Sequence, residues 1–181
     1  PFSEYMDAVL YHPDHGYYCR DKNPIGSEGD FFTASSLDPA MGQLLAGLFG
    51  SMAEHIPGFG LVELGAGTGL LARQVLETRS FPYVIVERSP AMRDRQRETL
   101  HGFDVRWSDV LPRNNRGCVF SNEFFDALPV RRFTSRDGRV REYFVARGLV
   151  ETEGDPAEPV DFPLLSEGAI ADISLDAREW I

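Results

Sequence analysis

Cysteine is nearly missing from this sequence. Cys19 and Cys118 are the only two, far apart and without a CxxC spacing, which excludes a disulfide framework and a thiolate zinc cluster and points to a reducing compartment. Neither has a basic neighbour in sequence, and Cys118 falls in an apolar run expected to be buried, so no cysteine nucleophile is expected. Lysine is scarcer still: Lys22 stands alone among 18 basic residues, the rest being arginine. Basic charge is in short supply overall, with 28 acidic residues and a formal net charge of −10. Such a chain repels a nucleic-acid backbone and suits a basic partner, such as an arginine-bearing protein. Apolar runs are short as well. None approaches the ~20 residues that span a bilayer, and PFSEYMDAVLYHPDHGYY lacks the order of a secretory signal, so no membrane association is expected. The expected location is a bacterial cytoplasm, or the mitochondrial matrix in a eukaryote. His12 and His15 lie in a proline-glycine turn, HPDHG, with no further ligand cluster nearby, so no metal is expected.

What is present is an alternation of short apolar runs with amphipathic helices from Gly60 onward, the pattern of a parallel sheet built from βαβ units. Strands are predicted at 61–64, 83–87, 104–107 and 117–121. A helix is expected over about 3–11, and another opens at Asp38-Pro39 with Asp as its cap. In that helix Met41, Leu44, Leu45, Leu48, Phe49, Met52 and Ile56 recur at three and four, predicting one core-facing side. A third is capped by Ser89-Pro90 and stops near His101-Gly102. VRRFTS, the turn RDGR and VREYFVA read as a β-hairpin. Residues 151–161 read as acidic loop, 162–165 as a short strand, and a last helix is expected from about Ser174. The fold class is therefore α/β, Rossmann-like, in three parts: an N-terminal helix and lid segment (1–37), a nucleoside-binding core (38–129), and a hairpin with the start of a C-terminal part (130–181). Four parallel strands leave an open sheet edge, so either the natural polypeptide is longer or the hairpin or N-terminal segment covers that edge.

The stretch LVELGAGTGLLARQVLETRSFPYVIVERSP (61–90) carries the chemistry. Gly65, Gly67 and Gly69 let the chain turn tightly between strand and helix and lie close to a ligand. A dinucleotide fingerprint would place its third glycine at position 70, where Leu70 stands. Glu63, two residues before the turn, would repel a pyrophosphate by on the order of 4 kcal/mol at 4 Å. S-adenosylmethionine reverses that argument. It has no phosphate, its sulfonium and ammonium suit Glu63 directly or through water, and a helix N-terminus can receive its carboxylate. Glu87, ending the second strand, stands where an acid accepts both ribose hydroxyls of an adenosine cofactor. Asp109, after the third, is placed to meet the adenine amino group or to serve as a cap or turn aspartate. Three acids at the carboxyl ends of consecutive strands are far more specific than the glycines alone.

VFSNEFFDALPV (119–130) takes the fourth strand into a loop with Asn122, Glu123 and Asp126 beside Phe124 and Phe125. It is expected to face the transferable methyl, with Asn122 on the cofactor side and at least one phenylalanine in packing. Together with YMDAVLYHPDHGYY (5–18), IGSEGDFFTA (25–34), VELGAGTGLLA (62–72), VERSPAMRDRQ (86–96) and NEFFDALPV (122–130), it gives a sequence that resembles the MidA-like family of S-adenosylmethionine-dependent methyltransferases. Mitochondrial members of that family include a protein-arginine methyltransferase that assists assembly of respiratory complex I. The resemblance implies cofactor roles for Glu63, Gly65, Gly67, Gly69, Glu87 and Asp109, and a lid formed by Gly29, Asp30, Phe31 and Thr33. It also implies a protein substrate with an exposed arginine, such as a respiratory-complex subunit, and chains longer than this one. For an arginine acceptor, Glu123 and Asp126 are the expected catalytic carboxylates, since paired hydrogen bonds hold a guanidinium and orient one nitrogen; Asp126 could instead cap its turn. The competing readings are an assembly module on the same fold without catalysis, and a small-molecule transferase.

Overall fold

Each of the four predicted parallel strands forms. The computed structural model describes residues 1–19, 38–160 and 165–174, and the chain divides into two compact units, Pro13–Phe124 and Pro1–His12 with Phe125–Ile181. In the first, β1 (Gly60–Leu64), β2 (Tyr83–Val86), β3 (Val105–Ser108) and β4 (Gly117–Ser121) make a sheet of order β3-β2-β1-β4, parallel throughout. Central β1 is buried at all five positions, which is why GLVEL reads as an unbroken run and not as an alternation.

Helix α2 (Ala40–Ala53) and helix α3 (Leu70–Thr78) cover the sheet face carrying Leu61, Tyr83 and Ile85. Gly42 permits their close approach, because a Cβ there would lie 2.3 Å from the Gln74 Cβ. Phe49 of α2 reaches the sheet, its ring centroid 5.0 Å from that of Phe120. The expected core stripe of α2 is narrower than its spacing suggests: Phe49 is buried, but Leu44 is 75 % and Leu48 56 % exposed. Spacing at three and four fixes the helical period, whereas the width of the covered face depends on what packs there. Pro39 holds the cap position, and Asp38 accepts from the Ala40 N–H just before it at 2.7 Å. Helix α4 (Pro90–Thr99) starts as predicted, with Ser89 as its cap.

In the second unit, α1 (Phe2–Tyr11) accompanies an antiparallel sheet of order β7-β6-β5-β8, formed by β5 (Arg131–Arg136), β6 (Arg139–Ala146), β7 (Val150–Gly154) and β8 (Ile170–Ile173). The hairpin β5–β6 turns through Asp137 and Gly138, both left-handed at φ +51° and +69°, the backbone of a two-residue hairpin turn. Its strands pair with β7 and β8 and do not extend the parallel sheet. Part of the expected loop 151–161 is strand β7, whose residues are nearly all exposed and so carry no alternation. The strand expected at 162–165 and the helix expected from Ser174 lie essentially outside the described residues. No described helix is long and apolar enough to cross a membrane.

Inside this sheet Arg131 and Glu142, 7 % and 0 % exposed, form a two-pronged ion pair at 2.8 and 2.6 Å. Glu142 also accepts from the Ala157 N–H at 2.8 Å. Burial alone would raise the Glu142 carboxyl, but the hydrogen bonds from Arg131 and Ala157 and the Arg131 charge together outweigh it and hold the group below its ordinary value. Glu142→Ala leaves a buried guanidinium with only the exposed Glu158 at 3.8 Å for counter-charge and is expected to cost about 3 kcal/mol, read as faster hydrogen exchange across β5 and β6. The double substitution Arg131→Met, Glu142→Leu should recover most of it.

Candidate functional site

The turn after β1 is built from left-handed glycines. Gly65, Gly67 and Gly69 have φ of +62°, +54° and +82°, values that a side chain disfavours. The Gly65 N–H donates to the Val86 carbonyl at 2.9 Å and the Gly69 N–H to the Ala66 carbonyl at 2.8 Å, so the turn is pinned to the sheet and to itself. Gly69 is the cap residue of α3, and no side chain caps that helix; its leading N–H groups remain suited to an anionic ligand group. Gly69 also faces α4, since a Cβ there would stand 3.4 Å from the Gln96 Cα and 3.3 Å from Leu100 Cδ1.

The three acids sit in three different settings. Glu63 is 2 % exposed. Its Oε2 accepts from the Tyr83 hydroxyl at 2.7 Å beneath the turn, so its carboxyl is a buried group under the site and not an open surface charge. Burial pushes it up to about 7, against the Tyr83 hydrogen bond that lowers it. The Tyr83 phenol, itself buried and beside Glu63, is pushed well above its ordinary value and keeps its proton. Glu87 follows β2. Its Oε1 accepts from the Ser89 N–H at 2.9 Å and its Oε2 from Gln96 Nε2 at 3.2 Å. Burial raises this carboxyl above its ordinary value, opposed by those hydrogen bonds and by the Arg93 charge. Asp109 is exposed in the bend after β3.

Because Glu63 binds its proton more tightly folded than unfolded, its ionisation opposes folding. The sign follows: stability falls as pH rises from about 4.5 towards 7, by on the order of 3 kcal/mol, and is level above. Glu63→Gln is therefore expected to raise the melting temperature at pH 8 and to change it little at pH 5, checked by thermal scans at both values.

Gln96, which the sequence reading did not single out, joins these parts. It is fully buried, and its Nε2 donates to the Gly67 carbonyl at 2.9 Å as well as to Glu87. Its Oε1 accepts from Trp107 Nε1 at 2.9 Å. The available signal was an amide on the spacing of Met92 and Leu100, a polar side chain on an apolar stripe.

Beyond β4, Asn122 is half-buried and Glu123 exposed, the latter left-handed at φ +50°. Phe124 packs on the glycine turn, where a Cβ added to Gly65 would lie 2.4 Å from its Cδ2; Phe125 is 48 % exposed. Asp126 is exposed in the single 3₁₀ turn Phe125–Ala127, whose Ala127 carbonyl accepts from the Tyr11 hydroxyl at 2.8 Å. Cys118 is half-buried, less so than expected, and burial raises its thiol. The proposed lid residues Gly29, Asp30, Phe31 and Thr33 lie outside the described residues. The segment leading to them is fastened beside Glu87, for Ser89 Oγ donates to the Tyr18 carbonyl at 3.0 Å.

Residues 40–178 match the family described as "Putative S-adenosyl-L-methionine-dependent methyltransferase". The chain is 32 % identical over 180 residues to "Protein arginine methyltransferase NDUFAF7 homolog, mitochondrial" of Drosophila melanogaster, covering 80 % of this chain and 41 % of that one. The corresponding human protein is 31 % identical, with 79 % and 41 % covered. A solved structure from Burkholderia thailandensis, bound to S-adenosyl-homocysteine, superposes with a TM-score of 0.75 at 34 % identity, over 88 % of this chain and 46 % of that one. The chain thus spans about two fifths of the length of these mitochondrial relatives. With the family match extending over most of its length, and with a parallel sheet, glycine turn and strand-end acids in the places described, the chain belongs to this S-adenosyl-L-methionine-dependent methyltransferase family.

Proposed function

We propose that the chain binds S-adenosylmethionine over the turn at residues 65–69 and serves methyl transfer to an arginine of a protein. The observation that carries the reading is Glu87: a carboxylate at the end of β2, tied through Gln96 to the Gly67 carbonyl. Its oxygens accept from the Ser89 N–H and from Gln96 Nε2, and the Arg88 N–H also bonds to the carboxylate. A carboxylate has about four acceptor sites, so it keeps acceptor capacity towards the ribose. The uncapped N-terminus of α3 suits the amino-acid carboxylate, and exposed Asp109 suits the adenine amino group. The charge argument shifts from Glu63 to Glu87. With its carboxyl at about 7, Glu63 is close to half-protonated at neutral pH and lies below the surface.

The bound nucleoside would supply an electrophilic methyl on a sulfonium. This chain's residues supply alignment and charge placement. Glu123, exposed at the end of the loop that Phe124 fastens to Gly65, is the residue to receive a guanidinium, with Asp126 three positions further on. Paired hydrogen bonds to such a carboxylate would orient one nitrogen for attack. Half-buried Asn122, following β4, is the residue we place beside the nucleoside. The names of the mitochondrial relatives favour a protein arginine as acceptor and a mitochondrial location in a eukaryote, within which the matrix is the finer location we propose. A respiratory-complex subunit is the finer substrate we propose. The expected result in calorimetry is binding of S-adenosyl-homocysteine and none of NAD; the reverse order of affinities overturns the reading.

A further inference from the structure

Gln96 occupies a position that only a neutral amide can fill. It lies on α4 between the buried Met92 and Leu100, in a segment otherwise rich in charge, PAMRDRQRET. The orientation of the amide is fixed by its partners. The Trp107 indole N–H can only donate, so Oε1 faces it at 2.9 Å; the Gly67 carbonyl can only accept, so Nε2 faces it at 2.9 Å. The second hydrogen of Nε2 goes to Glu87 Oε2 at 3.2 Å. A glutamate here would have no donor for Gly67 and would repel Glu87; a lysine or arginine would offer no acceptor to the indole. Methionine would match the volume and leave three part-buried polar groups without this partner.

We infer that Gln96 is a positioning residue for the ribose of the bound nucleoside, holding the Glu87 carboxylate and the Gly67 carbonyl in the arrangement that presents that carboxylate to the ribose hydroxyls. The inference rests on the nucleoside reading above and deepens it. Gln96 itself touches no ligand in this scheme. It restrains the Glu87 carboxyl by its side chain while the Ser89 and Arg88 N–H groups restrain it from the backbone, and through Gly67 it sets the height of the glycine turn against that carboxyl. Pre-organisation of this kind strengthens binding by removing the cost of ordering the site when the ligand arrives.

A packing role and a positioning role for Gln96 differ in one measurable respect. The experiment compares two probes, S-adenosyl-homocysteine and its 2′,3′-dideoxy analogue, by calorimetry on the wild-type chain and on Gln96→Met. In the wild type, loss of both hydroxyls is expected to weaken binding about a hundredfold, as two hydrogen bonds to a charged acceptor imply. In Gln96→Met the same loss should cost about fivefold, because the carboxyl no longer waits in place. If Gln96 merely packs, both ligands weaken together and the ratio stays at its wild-type value; that result overturns the inference. Should Gln96→Met fail to fold, Trp107→Phe serves instead. It removes the donor that orients the amide, keeps an aromatic ring at the position, and is expected to reduce the ratio at least threefold, an unchanged ratio again overturning the inference. A wild-type chain that binds neither probe overturns the nucleoside reading and this inference with it, whereas wild-type binding with a constant ratio removes the inference alone.

Discussion

Gly65→Val is expected to abolish nucleoside binding, lowering affinity for S-adenosyl-homocysteine at least a hundredfold while leaving the circular dichroism of the parallel sheet in place. Two physical effects coincide there. Gly65 is left-handed at φ +62°, a region in which a β-branched residue is a severe outlier. Its missing Cβ is also the space that Phe124 fills, at 2.4 Å from the ring. Valine must either turn the backbone over, which breaks the Gly65 N–H bond to the Val86 carbonyl, or expel the ring, which carries residues 122–124 away from the turn. Gly102→Val separates strain from crowding. That glycine is left-handed as well, at φ +92°, but a Cβ there meets nothing within 4 Å, so the variant should lose some stability and bind normally. Equal binding by Gly65→Val and the wild type would show that the turn is not the cradle.

The parallel core was legible because its two central strands are covered on both faces. GLVEL and YVIV are apolar almost throughout, and Ser89-Pro90 marks a helix start by the chemistry of its first turn. Strand β7 was illegible for the opposite reason: VETEG is held by its ladder with β6 and keeps its side chains in water, so nothing in its composition separates it from a loop. Leu44 and Leu48 show that periodicity reports a helix and not which residues its neighbours reach. At the site, strand-end acids were visible as residue types, but the setting of each is a tertiary matter. Glu63 lies on the sheet face that carries Tyr83, which buries it, whereas Glu87 leaves its strand at the rim and meets Ser89 and Gln96. Gln96 escaped notice because a helical amide is unremarked unless its neighbours at four residues either side prove to be core.

Glu123→Gln is expected to eliminate methyl transfer to an arginine peptide, by a thousandfold or more, while affinity for S-adenosyl-homocysteine stays within a few fold. The amide keeps the shape of the carboxylate and loses the charge that holds a guanidinium, so peptide affinity should fall together with turnover. Glu123 stands apart from its neighbours in one further way: it is left-handed at φ +50° without being glycine, a conformation that costs on the order of 1–2 kcal/mol. Such strain at an exposed carboxylate between a packed Phe124 and a half-buried Asn122 is retained where the surroundings impose it, and it clusters at functional positions. A glycine at 123 relieves the strain and deletes the carboxylate. Glu123→Gly should therefore melt no lower than the wild type, because the relief offsets the roughly 0.5–1 kcal/mol of backbone entropy that glycine loses on folding, and it should transfer no methyl. If Glu123→Gln and Glu123→Gly both transfer at the wild-type rate, the acceptor is held elsewhere and the left-handed turn serves only to bring Phe124 onto Gly65.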